Sequence, residues 1–156
     1  MSPAYVAAVL EHLPNALHVV DRFHVVKLFN EELSNLWRDL HREATDLLEK
    51  KMLKGTRWLL LKNPKNLDDA QNESRRLKEA LALNASLAAA DYLKADLGQL
   101  WEQPDDFAAK HFMERGCARA ESTGILRMQK MANTIRAHCV GRLNKCSRSN
   151  RAWLPW

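Results

Sequence analysis

A stripe of apolar residues runs through Val26, Phe29, Leu33, Leu36, Leu40, Ala44, Leu47, Leu48 and Met52, at intervals close to three and four, until Lys54-Gly55 stops it. Residues so spaced share one face of an α-helix. The stripe predicts a helix of about eight turns at 3.6 residues per turn, and an apolar face of that length must be covered by other helices. Glycine and proline are scarce, five of each in 156 residues, and most stand where helices should begin or end. The expected fold is therefore mostly α, a helical bundle.

The other elements follow from caps and periodicity. Ser2-Pro3 opens a short amphipathic helix that carries Tyr5, Val6, Val9, Leu10 and Leu13 on one face and stops at Pro14. Ala16-Leu17-His18-Val19-Val20 is the one convincing strand, and one strand cannot make a sheet. Thr56 is expected to cap a helix through Leu61, closed by Asn63-Pro64. A helix from about Asn66 to Leu83 would hold Asp68 and Asp69 in its first turn, where carboxylates suit the helix dipole. Asn84-Ala85-Ser86 breaks or caps the chain before a helix over 87–102. Pro104-Asp105-Asp106 opens another that ends near Gly124, and the last runs from Ile125 to about Arg142. No repeat at solenoid spacing appears.

With 46% hydrophobic and 28% charged residues the chain reads as globular. Apolar runs such as 58–61 and 87–90 are far too short to cross a bilayer or to act as a signal-peptide core, so no membrane partner and a cytoplasmic location are expected. The net charge of +5 is unevenly placed. No Asp or Glu follows Glu121, whereas Arg127, Lys130, Arg136, Arg142, Lys145, Arg148 and Arg151 do, leaving 17 basic against 19 acidic residues before them. Such a segment can contact phosphates, and Arg127, Lys130, Arg136, Arg142 and Lys145 are the candidate nucleic-acid contacts. The same charges also suit a solvated helix face. Ile125, Met128, Met131 and Ile135 form a competing apolar stripe, so only part of the basic set can face DNA. Weak, sequence-independent, salt-sensitive binding is expected.

Asp21 and His24 stand three residues apart between the strand and the long helix, where a carboxylate and an imidazole could hydrogen-bond. Asp21 also fits as the N-cap of that helix, with His24 in its first turn. Three cysteines with no C-x-x-C pair indicate neither a disulfide framework nor a zinc ribbon, and His138-Cys139 with Cys146 lacks a fourth ligand at finger spacing. Neither a phosphate-binding glycine loop nor a nucleophile elbow occurs.

Several ungapped stretches resemble bacterial insertion-sequence transposases of the ISL-three family. They are Met1-Ser-Pro-Ala-Tyr5, Leu10-Glu-His-Leu-Pro14, Val20-Asp-Arg-Phe-His-Val-Val-Lys27, Gly55-Thr-Arg-Trp-Leu-Leu-Leu-Lys-Asn-Pro64 and Leu100-Trp-Glu-Gln-Pro104. The likeness runs from Met1 to about His138. It implies a DDE transposase, in which an RNase H-like core holds Mg or Mn on three carboxylates and cuts and joins DNA ends by two-metal chemistry. On that pattern the first catalytic Asp lies on an early strand not in this chain, and the second falls one residue before Met1. The third, a Glu beyond the helical insertion, has no candidate after Glu121. Asp21 and His24 match a motif of related DDE families, a Cys or Asp, two residues, then His, which implies a structural or assisting role rather than a metal ligand.

The resemblance thus implies a fragment. Residues 1–24 would be a short helix-strand remnant of the RNase H-like core, 25–138 the helical insertion domain, and 139–156 a divergent basic tail that looks like a frameshifted or degenerate ending. No complete catalytic set, no metal site and no cofactor are expected in this chain, which would be inactive alone. Its partners would be DNA, a second copy, or an intact transposase. The alternative is a non-catalytic helical module for DNA binding or protein interaction.

Overall fold

In the computed structural model residues 11–12 and 22–139 are described. Seven helices follow among them: α1 (Arg22–Glu43), α2 (Leu47–Leu53), α3 (Thr56–Leu61), α4 (Glu73–Leu83), α5 (Ala85–Gly98), α6 (Asp106–Ser122) and α7 (Leu126–Cys139). Short 3-10 turns at Pro64–Asn66 and Gln99–Glu102 complete the described elements. The bundle is as expected, but the helix-strand remnant of an RNase H-like core is not: the described residues are helical and contain no strand. The run from Ala16 to Val20 and the helix expected after Ser2-Pro3 lie outside the described residues, apart from positions 11 and 12.

The long helix is also shorter than its stripe. Phe29, Leu33, Leu36 and Ala44 are buried as expected, whereas Leu47 and Leu48 are 83% and 62% exposed. The break comes at Thr45-Asp46, because the Asp46 carboxylate accepts a hydrogen bond from the Leu48 N–H at 3.0 Å and starts α2 afresh. Aspartate competes for the backbone in this way, and one side-chain bond outweighs continuation of a stripe with nothing left to pack on.

Gly55 then turns the chain. Its φ of +81° is left-handed, which favours glycine, and the Arg76 guanidinium lies close by, 2.9 Å from where a Cβ would be. Thr56 was expected as a cap but is the first residue of α3. It is 1% exposed, and its hydroxyl donates to the Leu53 carbonyl at 2.7 Å. Trp37 of α1 donates its indole N–H to that carbonyl and to Thr56 Oγ1, both at 3.2 Å, latching the turn to the long helix.

Helix α4 starts at Glu73, not near Asn66. Asn63 and Asp68 spend their side chains on the N–H groups of Lys65 and Ala70, which holds 63–72 in turns. The Glu73 carboxylate gathers this loop, accepting from the Asp68 N–H at 2.9 Å and pairing with Lys62 at 2.6 Å. Those bonds hold its pKa below the usual range, the Asp68 N–H contributing most. Asn84 and Asp105 cap α5 and α6 through the N–H groups of Leu87 and Ala108.

The core lies where α1, α5, α6 and α7 meet. Phe29, Leu33, Leu60, Leu87 and Met128 are essentially fully buried, and Ala90, Ala120 and Ala132 are 0% exposed, which lets the helices approach closely. None of the described helices is long and apolar enough to cross a membrane.

Candidate nucleic-acid interface

The described part of the basic final segment divides into side chains spent on the bundle and one that is not. Met128, Met131 and Ile135 of α7 are buried, as the competing stripe required. Arg127 therefore leaves from the flank of the helix and reaches α1. Its Nε donates to Asp39 Oδ2 at 2.8 Å, and Nη1 lies 3.7 Å from Glu32. Arg136 joins α6, donating to Glu114 at 3.1 Å and pairing with Glu121. Arg119 of α6 pairs in turn with Asp96 of α5. Lys130 is exposed and makes no ion pair among the described residues. Arg142 and Lys145 lie outside the described residues.

These clamps are visible in the electrostatics. The hydrogen bond from Arg127 holds the Asp39 carboxyl below its usual range, helped by the charges of Arg127 and Arg42. A carboxylate with a depressed folded pKa contributes stability that is present above about 4 and lost as pH falls through the folded value. Arg127→Ala is thus expected to lower the melting midpoint at neutral pH, with the gap to the parent chain narrowing below pH 4. A gap that stays constant down to pH 2 would show that the Asp39 pair contributes nothing.

Asp21 of the expected motif lies outside the described residues. His24 sits in the first turn of α1, exposed, with the Phe23 ring edge-on at 5.8 Å. Cys146 and the side chains of His138 and Cys139, weighed above as a zinc set, are likewise not described.

A second basic surface was missed by the sequence reading. Lys50 and Lys51 of α2, Lys54 just after it and Arg76 of α4 are exposed, and α4 packs on both α2 and α3. Beside them Trp58 is 63% exposed, with the Arg57 guanidinium 4.8 Å above its ring. Arg57 also lines a groove of about 550 Å³ between α1 and α3, with Asn30, Ser34 and Arg38. The signal was present as basic residues interleaved with a tryptophan at 50–58, a pattern suited to nucleic acid.

The geometry gives a helical bundle with a basic and aromatic surface, and likeness to known proteins gives its family. The profile of the ISL-three DDE family, described as "Transposase", matches residues 1–152, and the chain belongs to that family. It is 30% identical over 148 residues to the transposase for insertion sequence element IS1001 of Bordetella parapertussis, a stretch covering 94% of this chain and 36% of that relative. The chain therefore spans about a third of the length of the curated relative it matches. The match extends to residue 152, past His138, where the sequence reading ended the likeness. No solved structure matches the chain.

The metal ions of the family do not fit the described residues. No group of three or more His, Cys, Asp or Glu side chains gathers among them. Asp39, Glu73, Asp96, Glu114 and Glu121 are each engaged by an arginine or lysine, Glu114 and Glu121 by the same Arg136.

Proposed function

We propose that the chain serves DNA transposition as the non-cutting part of a DDE transposase, with residues 25–138 as its helical insertion domain and DNA as its partner in the bacterial cytoplasm. The family match across residues 1–152 carries this reading. Asp39, Glu73, Asp96, Glu114 and Glu121 serve as clamps within the bundle, and on this reading cutting and joining fall to other parts of a full-length relative. Within the basic segment Lys130, Arg142 and Lys145 meet phosphates. Arg127 and Arg136 hold α7 in place and would contribute to binding only by leaving their carboxylates. The Asp21 and His24 motif has a positioning role at the start of α1.

The test combines two assays on the purified chain. Incubated with plasmid and Mg²⁺ or Mn²⁺, it should neither nick nor join DNA. Titrated against fluorescent duplex DNA, it should bind with a dissociation constant of roughly 10⁻⁴ to 10⁻⁶ M near physiological salt, weakening steeply as salt rises. Nicking that follows the protein through purification would overturn the non-cutting role. Failure to bind duplex or single-stranded DNA even at low salt would overturn the DNA partnership.

A further inference from the structure

Several cations in the described bundle are held by the fold. Arg119, Arg127 and Arg136 clamp helices, Lys62 holds Glu73, and Lys94 donates to the Leu60 and Lys62 carbonyls at the end of α3. Lys51 of α2, Lys54 at its C-terminal cap and Arg76 of α4 are exposed and form no salt bridge among the described residues. The Arg76 guanidinium lies against Gly55, which brings it to the turn that joins Lys54 to α3. Arg76 is near enough to Glu73 to help lower its pKa but forms no salt bridge with it, and long cations free of such bridges about one turn suit a chain of phosphates.

Two further observations point the same way. Trp58 keeps most of its ring in solvent and carries Arg57 stacked upon it, a flat cation-aromatic pair that suits a base removed from its stack. Arg57 Nε and Asn30 Oδ1, both buried, find no hydrogen-bond partner among the described residues, and both residues line the groove between α1 and α3. A buried donor and a buried acceptor left open are costly unless something supplies their partners. Lys27 and Arg38 stand on the same groove, with Glu31 the carboxylate there, 3.9 Å from Lys27.

The geometry points to a binding site for a few nucleotides of single-stranded DNA across the α2–α3 turn. Lys51, Lys54 and Arg76 take its phosphates, Trp58 takes an unstacked base, and Arg57 and Asn30 bond to the strand as it enters the groove. This deepens the proposed function, since it rests on DNA being the partner, and it assigns single-strand contact to a face remote in sequence from the basic final segment.

Fluorescence anisotropy on the full chain tests it, with a labelled oligothymidylate of about 15 nucleotides and a duplex of the same length. Trp58→Ala should weaken the single strand on the order of tenfold and leave the duplex almost unchanged, because base stacking is lost and charge is kept. Trp58→Phe should retain most of the affinity, which guards against misfolding of the alanine variant. Lys54→Ala with Arg76→Ala should reduce the slope of log affinity against log salt for the single strand by about 1.4, two phosphate contacts at about 0.7 each. Parent-like single-strand binding by Trp58→Ala, or loss of all binding on Lys130, Arg142 and Lys145→Ala alone, overturns this site while leaving DNA as the partner. A parent chain that binds neither probe overturns both.

Discussion

Phe29→Ala is expected to cost about 3–5 kcal/mol, the usual loss when a buried phenylalanine is truncated. Phe29 is 1% exposed at the meeting point of α1, α5, α6 and α7. It already borders a small void of about 30 Å³ together with Leu93, Leu100, Met113, Met131 and Ile135. Those neighbours stand on α5, α6, α7 and the Gln99–Glu102 turn, and α5, α6 and α7 bury Ala90, Ala120 and Ala132 at their contacts, so the site has little room to collapse around the missing ring. Against a total stability of about 5–15 kcal/mol the variant would be close to unfolding. A urea melt, with Leu126→Ala as the surface comparison at 62% exposure and an expected change within about 0.5 kcal/mol, measures it. Equal midpoints for the two variants would show that the core is not organised around α1.

The bundle was legible because periodicity reports burial. Phe29, Leu33 and Leu36 in α1, Ala44 just after it, and Met128, Met131 and Ile135 in α7 fall on inward faces by spacing alone, and each is buried. Where a helix stops is a different matter, decided by a few side-chain bonds. Asp46 falls within the long apolar stripe, yet its carboxylate accepts from the Leu48 N–H and starts a new helix. Asp68 and Asp69 looked like first-turn acids of a helix that starts only at Glu73. Local capping and continued helix are closely matched in energy, and the sequence pattern does not rank them.

The basic surface was harder to read for a related reason. Charge counts reveal how many cations a segment carries, not which of them have partners. Arg127 and Arg136 lie in a stretch without a single carboxylate, yet their partners Asp39, Glu114 and Glu121 come from α1 and α6. The lysines at 50, 51 and 54 stand among acidic neighbours in sequence and attracted no notice, but are left unpaired in space. One practical consequence is that the basic segment cannot be deleted as a test of DNA binding. Removing everything after Ser122 would take away Met128 and Ala132, both 0% exposed, and with them part of the core.

Cys117 should be among the slowest thiols to alkylate in this chain. It is buried at the α6–α7 interface, 4% exposed, with its Sγ directed at the Ala132 carbonyl at 3.8 Å. Burial pushes its pKa from 9.0 up to about 11; the nearby Arg136 charge opposes that rise, and Glu114 and Glu121 reinforce it. At pH 8 the thiolate, which is the reacting form, is therefore about a hundredfold scarcer than in the unfolded chain, before any steric hindrance is counted. The sign for stability follows: a thiol harder to ionise when folded contributes nothing to pH dependence below about pH 9. Between about pH 9 and pH 11 it penalises the folded state increasingly, because the unfolded chain loses the proton first. Iodoacetamide labelling of a Cys139→Ser, Cys146→Ser variant, with and without denaturant, reads the protection directly. Labelling at the unfolded rate in native buffer would mean that α6 and α7 are not closed over Cys117. If protection falls in Arg136→Ala while the helix content is kept, the carboxylate clamp is what closes them.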